Sequence, residues 1–155
     1  MQFKSITTIV VLSLVVVSLL VAGCTSSQQT TTQSTGTTST NQNIAVTVKA
    51  VQSPSQISSE TPRPGYKWAV YNTTVKNVNA PNKAITRNYF SAQDTQGRNY
   101  NVSGGLSEQI APYNFSTHSQ PGDVLGGIVV FEVPQNATLK SLTYFDGTTK
   151  IVTTV

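Results

Sequence analysis

The chain has 155 residues, of which ten are Lys or Arg, six are Asp or Glu, one is His and one is Cys. A lone cysteine excludes an internal disulfide framework. The basic residues are spread along the chain and do not form a stripe with interleaved aromatic residues, so the composition argues against a nucleic-acid-binding protein.

The N-terminal residues have the organisation of an export signal. A short segment carrying Lys4 precedes an apolar run from Ile6 to Ala22. The tetrapeptide from Val21 to Cys24 resembles the lipobox of prokaryotic lipoproteins. That resemblance implies that residues 1–23 are a cleaved signal peptide and that the sulfur of Cys24 carries a diacylglyceryl group. The protein would then be attached to the membrane through Cys24 and lie on its extracytoplasmic face, at the cell surface or in the periplasm.

Two other interpretations of this segment stay open. The apolar run could be an uncleaved membrane anchor, although a bilayer core needs roughly 20 apolar residues and this run is interrupted by Thr and Ser. Cys24 could also be an ordinary free thiol, which is unusual in an exported protein without a second cysteine. Whether the segment is a cleaved lipoprotein signal or an uncleaved membrane anchor, the residues after Cys24 lie outside the cytoplasm.

The segment that follows has the composition of a linker. Residues 25–43 consist of Thr, Ser, Gln, Asn and a single glycine, Gly36. Such a segment cannot bury enough apolar surface to offset its conformational entropy. We therefore predict that residues 24–43 are a lipid-attached, disordered linker.

From residue 44 onward, the pattern is that of short strands separated by turns. Ile44 to Val51 alternates apolar and polar side chains with a period of two, as a strand with one buried face does. Asp94 to Gly97 reads as a hairpin turn with glycine placed for positive φ. The predicted strands are Ile44–Val51, Lys67–Lys76, Ile85–Gln93, Arg98–Val102, Val124–Val133, Lys140–Phe145 and Ile151–Val155, with Leu106–Ile110 as a short strand or a helical turn.

These elements predict an all-β domain over residues 44–155. Seven or eight short strands without a sustained helical pattern are typical of an antiparallel β-sandwich. Trp68 is expected at the centre of the sandwich. The pair Gly126-Gly127 falls within the longest apolar strand, where it indicates a bulge or a point of close packing.

Three blocks of this domain resemble a widespread family of uncharacterised prokaryotic lipoprotein domains. They are Pro64–Asn77, Phe90–Tyr100 and Pro121–Pro134. The resemblance implies a telokin-like, immunoglobulin-like sandwich, akin to a secreted mycobacterial immunoprotective antigen. No activity is established for that family, so the resemblance implies neither an activity nor catalytic residues for this chain. The polar insert Tyr113–Gln120 departs from the family pattern.

The sequence offers no recognisable constellation for catalysis or metal binding. His118 is the one histidine, whereas a zinc site normally takes three or four His, Cys or carboxylate ligands. Asp94, Asp123 and Asp146 each stand in a predicted turn, where aspartate is favoured for its local hydrogen bonds. We therefore expect no catalytic residues, no metal and no cofactor.

Two sets of residues are candidate sites. Four sequons mark candidate N-glycosylation sites at Asn72, Asn101, Asn114 and Asn136. The second set lies between Ser103 and Gln120, the longest interruption between strand signals, and loops of this length are often functional. The candidate interaction-loop residues there are Tyr113, Phe115 and His118. Alternatively, Leu106, Ile110 and Phe115 plug one end of the sandwich.

Three functions remain open from the sequence. The leading hypothesis is a membrane-tethered, non-catalytic binding module whose partner is a protein or an envelope polymer. The second is a structural component of the cell envelope, and the third is a small envelope hydrolase. An exposed aromatic patch or a concave sheet face would favour the first, a featureless glycosylated surface the second, and a pocket with converging acids the third.

Overall fold

The computed structural model describes residues 36–110 and 113–155. The predicted signal peptide, Cys24 and the linker up to residue 35 lie outside the described residues. Within the two described ranges, no helix has the length and apolar character needed to span a bilayer.

The described residues contain ten strands and two short helical segments. In chain order, the strands are β1 Thr37–Thr40, β2 Ile44–Val51, β3 Tyr66–Asn77, β4 Lys83–Ile85, β5 Phe90–Asp94, β6 Asn99–Asn101, β7 Ser116–Ser119, β8 Val124–Pro134, β9 Leu139–Phe145 and β10 Lys150–Thr154. A 3₁₀ helix spans Arg87–Tyr89 and an α-helix, α1, spans Gly104–Glu108.

The strands form two four-stranded antiparallel sheets and one small two-stranded sheet. The first sheet has the order β1-β2-β3-β8, the second has the order β10-β9-β5-β6, and β4 pairs with β7. The predicted all-β antiparallel sandwich is confirmed. The strand number exceeds seven to eight because β1, β4 and β7 have only three or four residues each and therefore give weak sequence signals.

The main core is built from alternate side chains of both sheets. Val75 of β3 and Phe131 of β8 belong to one buried cluster with Leu142 and Tyr144 of β9. Because successive side chains of a strand point to opposite faces, each strand contributes every second residue to this cluster. The period-two patterns in the sequence thus correspond to one buried face per strand.

Trp68 is buried, but the prediction that it lies at the centre of the sandwich is wrong. It is 4% exposed and belongs to a second apolar cluster with Ile57, Val70, Leu106, Ile128 and Val130, which we call the outer cluster. The neighbouring residue Ala69 belongs to the main core. Trp68 therefore occupies the opposite face of β3, where α1 supplies Leu106 as cover.

The predicted linker ends earlier than residue 43. Thr37–Thr40 forms β1, which pairs antiparallel with β2, and the Thr38 and Thr47 hydroxyl oxygens are 2.7 Å apart. β-branched threonine suits a strand, and the free edge of β2 offers unpaired backbone groups. Backbone pairing with β2 thus makes a strand of this polar segment, and the amino-acid composition of the segment gives no sign of that pairing.

Two further strand assignments are corrected by the structure. The predicted strand Ile85–Gln93 is interrupted by the 3₁₀ helix, so β4 ends at Ile85 and β5 begins at Phe90. The predicted irregular stretch up to Gln120 contains α1 and also β7, which pairs with β4. Both corrections depend on partners distant in sequence, so local patterns do not show them.

Gly126 allows the two longest strands to approach each other. A Cβ atom built at Gly126 would lie 2.0 Å from the carbonyl oxygen of Thr73, and its φ is +156°. Any side chain here would therefore push β8 away from β3. The predicted close-packing role of the Gly126-Gly127 pair is confirmed at Gly126.

Two buried aspartates hold the turns of the second sheet. The Asp94 carboxylate accepts hydrogen bonds from the Arg98 Nε (2.6 Å), the Tyr100 hydroxyl (2.7 Å) and two backbone amides. Burial by itself raises the pKa of Asp94, but the bonds from Tyr100, Arg98 and the backbone outweigh it and lower the pKa to about 2. Gly97 completes this turn with φ of +82°, as predicted.

Asp146 plays the same part in the turn between β9 and β10. Its carboxylate lies 3.0 Å from the Lys83 ammonium and accepts bonds from the backbone amides of Thr148 and Thr149. Burial raises the pKa of Asp146, yet these donors together lower it to about 2. Lys83 thereby ties the two-stranded sheet to the second sheet.

Trp68→Ala tests the outer cluster. Removing a large buried aromatic side chain leaves a cavity, and we expect a loss of about 3–5 kcal/mol in the free energy of unfolding. Trp68→Phe should cost less, because it keeps most of the apolar volume. Chemical denaturation of both variants measures this, and an unchanged unfolding midpoint for Trp68→Ala would contradict the packing described.

Acid should unfold the domain through Asp94 and Asp146. Both carboxylates have a folded-state pKa of about 2, below the value of about 3.9 in unfolded chains. Their stabilisation is therefore complete above about pH 4–5 and is lost as the pH falls toward 2. We expect the thermal midpoint to fall over that window, and to fall less steeply in Asp94→Asn and Asp146→Asn. The exposed Asp123, changed to Asn, is the control, and a wild-type midpoint that is constant down to pH 2 would contradict this account.

Candidate functional site

Most of the acidic side chains form ion pairs that stabilise the strands and turns. Four of the six acids form ion pairs: Glu132 with Arg63, Asp146 with Lys83, Glu108 with Arg87, and Asp94 with Arg98. Across the described part of the chain, no three His, Cys, Asp or Glu residues come together as a metal site would require.

The predicted interaction-loop residues lie in different environments. Tyr113 is 46% exposed, its hydroxyl accepts a hydrogen bond of 2.6 Å from Arg87, and its backbone bridges to Gly127 of β8. Phe115 is half-buried and packs against Phe90 of the main core, with ring centroids 6.4 Å apart. The rings of Tyr113 and Phe115 contact each other at 5.4 Å.

His118 forms no hydrogen bond with Tyr113 and no contact with the Phe115 ring among the interactions of the described residues; its side-chain partner is Thr117. It is exposed in β7, and its Nδ1 lies 2.8 Å from the hydroxyl oxygen of Thr117. Leu106 and Ile110, the other members of the predicted plug, pack in the outer cluster. They therefore cover part of the outer face of the first sheet rather than closing an end of the sandwich.

The four sequon asparagines differ in accessibility. Asn72 is half-buried in the middle of β3, paired with Lys49 and Ile128. Asn114 is exposed, but its side-chain carbonyl accepts a hydrogen bond from the Gly126 amide at 2.7 Å. Asn101 in β6 and Asn136 between β8 and β9 are exposed. Glycosylation stays a prediction, and the geometry favours Asn101 and Asn136 as acceptors.

The outer face of the second sheet is open to solvent. Every second side chain of each strand points to this surface. In the strand register, Thr143 of β9 lies between Ser91 of β5 and Val152 of β10, and Phe145 lies opposite Lys150. We call this surface the Phe145 face. Its residues are Ser91, Gln93, Asn99, Ser141, Thr143, Phe145, Lys150 and Val152.

Two apolar side chains are displayed on the Phe145 face. Phe145 and Val152 are each 51% exposed, and they line a shallow depression of about 480 Å³. Around them stand hydroxyl and amide groups and one cation, Lys150, and no carboxylate lines the depression. Hydroxyls and amides both donate and accept hydrogen bonds, so this surface suits a polar partner that is uncharged or anionic.

A second depression lies on the outer face of the first sheet. It has a volume of about 430 Å³ and is lined by Trp68, Glu60 and the Arg63–Glu132 pair. Glu132 accepts hydrogen bonds from both the backbone and the side chain of Arg63. Because these groups already bond to one another, this depression is a weaker candidate than the Phe145 face.

The sequence reasoning missed Phe145 and Val152. The signal was present in β9, where Ser141, Thr143 and Phe145 alternate with the buried Leu142 and Tyr144. An aromatic residue at the end of that polar row could have been marked as exposed. That no helix or loop among the described residues covers Phe145 and Val152 follows only from the tertiary structure.

Comparison with solved structures shows the fold. The candidate lipoprotein YcdA of Bacillus subtilis has a TM-score of 0.59 at 15% identity over 77% of this chain and 38% of its own. The chain thus spans about two fifths of that protein. A Listeria monocytogenes protein of unknown function has a TM-score of 0.51 at 13% identity, over 79% of this chain and 82% of its own. The secreted protein MPT63 of Mycobacterium tuberculosis has a TM-score of 0.47 at 16% identity, over 78% and 92%.

No curated protein matches the sequence significantly. The model of a domain of unknown function, DUF4352, matches residues 33–151, which include every strand except the last residues of β10. The resemblance to an uncharacterised lipoprotein-type domain family is thereby confirmed, and the chain belongs to the DUF4352 family.

Proposed function

We propose that this protein is a lipid-anchored, extracytoplasmic binding module without catalytic activity, and that the Phe145 face is its contact surface. The lipobox-like motif ending at Cys24 supports the anchor and the location. The Bacillus neighbour of the same fold, itself described as a candidate lipoprotein, is consistent with this location.

The open Phe145 face is the observation that carries the binding role. Outward-facing aromatic and β-branched side chains gain nothing in stability from solvent exposure, and exposed apolar groups rimmed by polar residues commonly mark interaction sites. Phe145 can stack on an apolar or ring-shaped group of the partner. The hydroxyl and amide groups around it would fix the orientation of that partner.

The framework suits recognition better than catalysis. The Phe145 face lies on paired strands, so its side chains are held without a moving loop. Four acids are occupied in ion pairs that hold turns and strands, whereas a hydrolase needs carboxylates converging on substrate. The partner class is therefore a protein or an envelope polymer bound without chemical change.

Phe145→Ser should abolish retention of the partner while leaving the fold intact. Phe145 is half-exposed, so its loss removes contact area from the partner and little from the core. Val51→Ser, at a 41% exposed valine of the first sheet, is the matched control. Cross-linking and co-purification from envelope extracts, with thermal midpoints for each variant, measures this. Equal retention by wild type, Phe145→Ser and Val51→Ser would contradict the assignment of the face.

Cys24→Ser should release the protein from the membrane or leave it misprocessed, with its N-terminal segment uncleaved, without unfolding its domain. Serine lacks the sulfur that would carry the diacylglyceryl group, so signal removal by the lipoprotein route should also fail. Detergent partitioning and the apparent mass of wild type and variant measure both effects. A variant that stays membrane-bound with the mass and partitioning of the wild type would contradict lipid attachment and favour an uncleaved anchor.

A further inference from the structure

We infer that Asn101 carries an N-linked glycan that lies across the Phe145 face and competes there with the partner. This inference rests on the proposed function and deepens it, because it concerns how access to the same face is regulated. The occupant of the face in the absence of a partner is then an oligosaccharide attached to this chain. The sequon that accepts it is Asn101-Val102-Ser103, at the end of β6.

Strand register places Asn101 on the same surface as Phe145. Asn101 of β6 pairs with Ser91 of β5. Ser91 pairs with Thr143 of β9, which pairs in turn with Val152 of β10. Directly opposite residues of antiparallel strands point to the same side of the sheet. One row of side chains therefore crosses the whole second sheet, beginning at Asn101 and ending at Val152.

Asn101 is presented to solvent by the strand that carries it. β6 is an edge strand of the second sheet, and Asn101 is exposed there. Its neighbours in the sequence, Tyr100 and Val102, pack against the main core. Ser103 is half-buried, and its hydroxyl makes no capping hydrogen bond to α1. Modification of Asn101 therefore displaces nothing from the core.

Attachment of the glycan is a substitution at the anomeric carbon of a sugar. The Asn101 Nδ2 forms a bond to that carbon in a lipid-linked, phosphate-activated oligosaccharide, which is the co-reactant. The bond from the carbon to the phosphate oxygen breaks, and the lipid phosphate leaves with its electron pair. The amide nitrogen releases one proton to solvent. The product is the bulky, solubilising modification for which the sequon is the acceptor.

A short oligosaccharide on Asn101 reaches the apolar side chains of the Phe145 face. Phe145 follows Thr143 by one residue pair along β9, and β5 lies between β9 and β6. Strands lie about 4.8 Å apart and rise about 3.4 Å per residue, so the Cα atoms of Asn101 and Phe145 are about 12 Å apart. The hydroxyls of Ser91 and Thr143 lie along this path, where they can donate and accept hydrogen bonds with sugar hydroxyls.

Weak contacts are sufficient because the glycan is attached to the domain. An attached group meets its contact surface at an effective concentration in the millimolar range. Phe145 and Val152 are each 51% exposed, and a sugar ring that packs its apolar face on them removes that surface from water. A partner must displace the glycan from the same side chains. The glycosylated chain therefore binds its partner more weakly than the unmodified chain does.

Asn136 provides the matched comparison. It is exposed, as Asn101 is, and it lies in the turn before Leu139 at the start of β9. Phe145 is the last residue of that strand, so the two ends of β9 are about 20 Å apart. A glycan on Asn136 therefore begins at the far end of the sheet from Phe145.

The test uses the full chain, made in its native host and purified from the envelope. Mass spectrometry of glycopeptides gives the occupancy of each sequon, and we expect a glycan on Asn101. Hydroxyl-radical footprinting then measures the solvent access of Phe145 and Val152 without any partner. Ser103→Ala keeps Asn101 but breaks the sequon, so it should lose the glycan and increase the labelling of Phe145 and Val152 severalfold. Asn101→Gln, which removes the acceptor itself, should give the same result.

The controls separate shielding from a change in fold. Ser103→Thr keeps the sequon, and Asn136→Gln removes the sequon at the far end of β9, so both should label as wild type does. Val51 of the first sheet, 41% exposed, is the internal reference, and its labelling should stay constant in every variant. An unmodified Asn101 in wild type would overturn the inference. So would equal labelling of Phe145 in wild type and Ser103→Ala, or an equal increase at Val51.

Partner retention, measured as for Phe145→Ser, tests the competition. Ser103→Ala should retain severalfold more partner than wild type, and equal retention by both chains would overturn the competition. The footprint needs no partner, so the two proposals fail separately. If no variant retains a partner, the proposed contact role of the face is contradicted, while the footprint still decides whether the glycan covers it.

Discussion

The long antiparallel pairing between β3 and β8 is the constraint on which the rest of the structure depends. It runs from the pair Tyr66–Pro134 to the pair Lys76–Val124 and joins residues far apart in the chain. It is possible only because Gly126 has no side chain to meet the carbonyl oxygen of Thr73. The inner side of this pair supplies Phe131 to the core, and the outer side carries the outer cluster.

The segment after β6 pairs with the free edge of β8 and covers part of the outer face of the first sheet. The Ser103 amide donates to the Val130 carbonyl, the Ser107 hydroxyl accepts from the Val130 amide, and the Asn114 amide donates to the Gly126 carbonyl. These bonds satisfy backbone groups of the edge strand that could otherwise pair with a strand of another chain. The same segment places Leu106 over Trp68. One part of the outer face is therefore covered, and the part that carries Lys49, Thr74 and Lys76 is exposed.

The two outer faces of the sandwich differ in their chemistry. Ion pairs neutralise Asp94, Glu108, Glu132 and Asp146, whereas Glu60, Asp123 and the exposed lysines of both sheets form no ion pair within the described residues. The Phe145 face presents hydroxyl groups, amide groups and Lys150 around an aromatic ring. The uncovered part of the first sheet's outer face presents Lys49 and Lys76. These two surfaces belong to opposite sheets.

Period-two alternation and glycine placement are local consequences of strand geometry, so the amino-acid sequence alone predicts the sandwich, the main strands, the turn at Gly97 and the close packing at Gly126. It also pointed to Tyr113 as an exposed residue of interest. The folded structure is needed to show that Thr37–Thr40 joins a sheet, that β7 pairs with β4, and that Trp68 lies outside the central core. It is likewise needed to show that Phe145 is exposed. The physical reason is that alternation shows that a strand has two faces, whereas which face is buried, and by what, depends on partners distant in the chain.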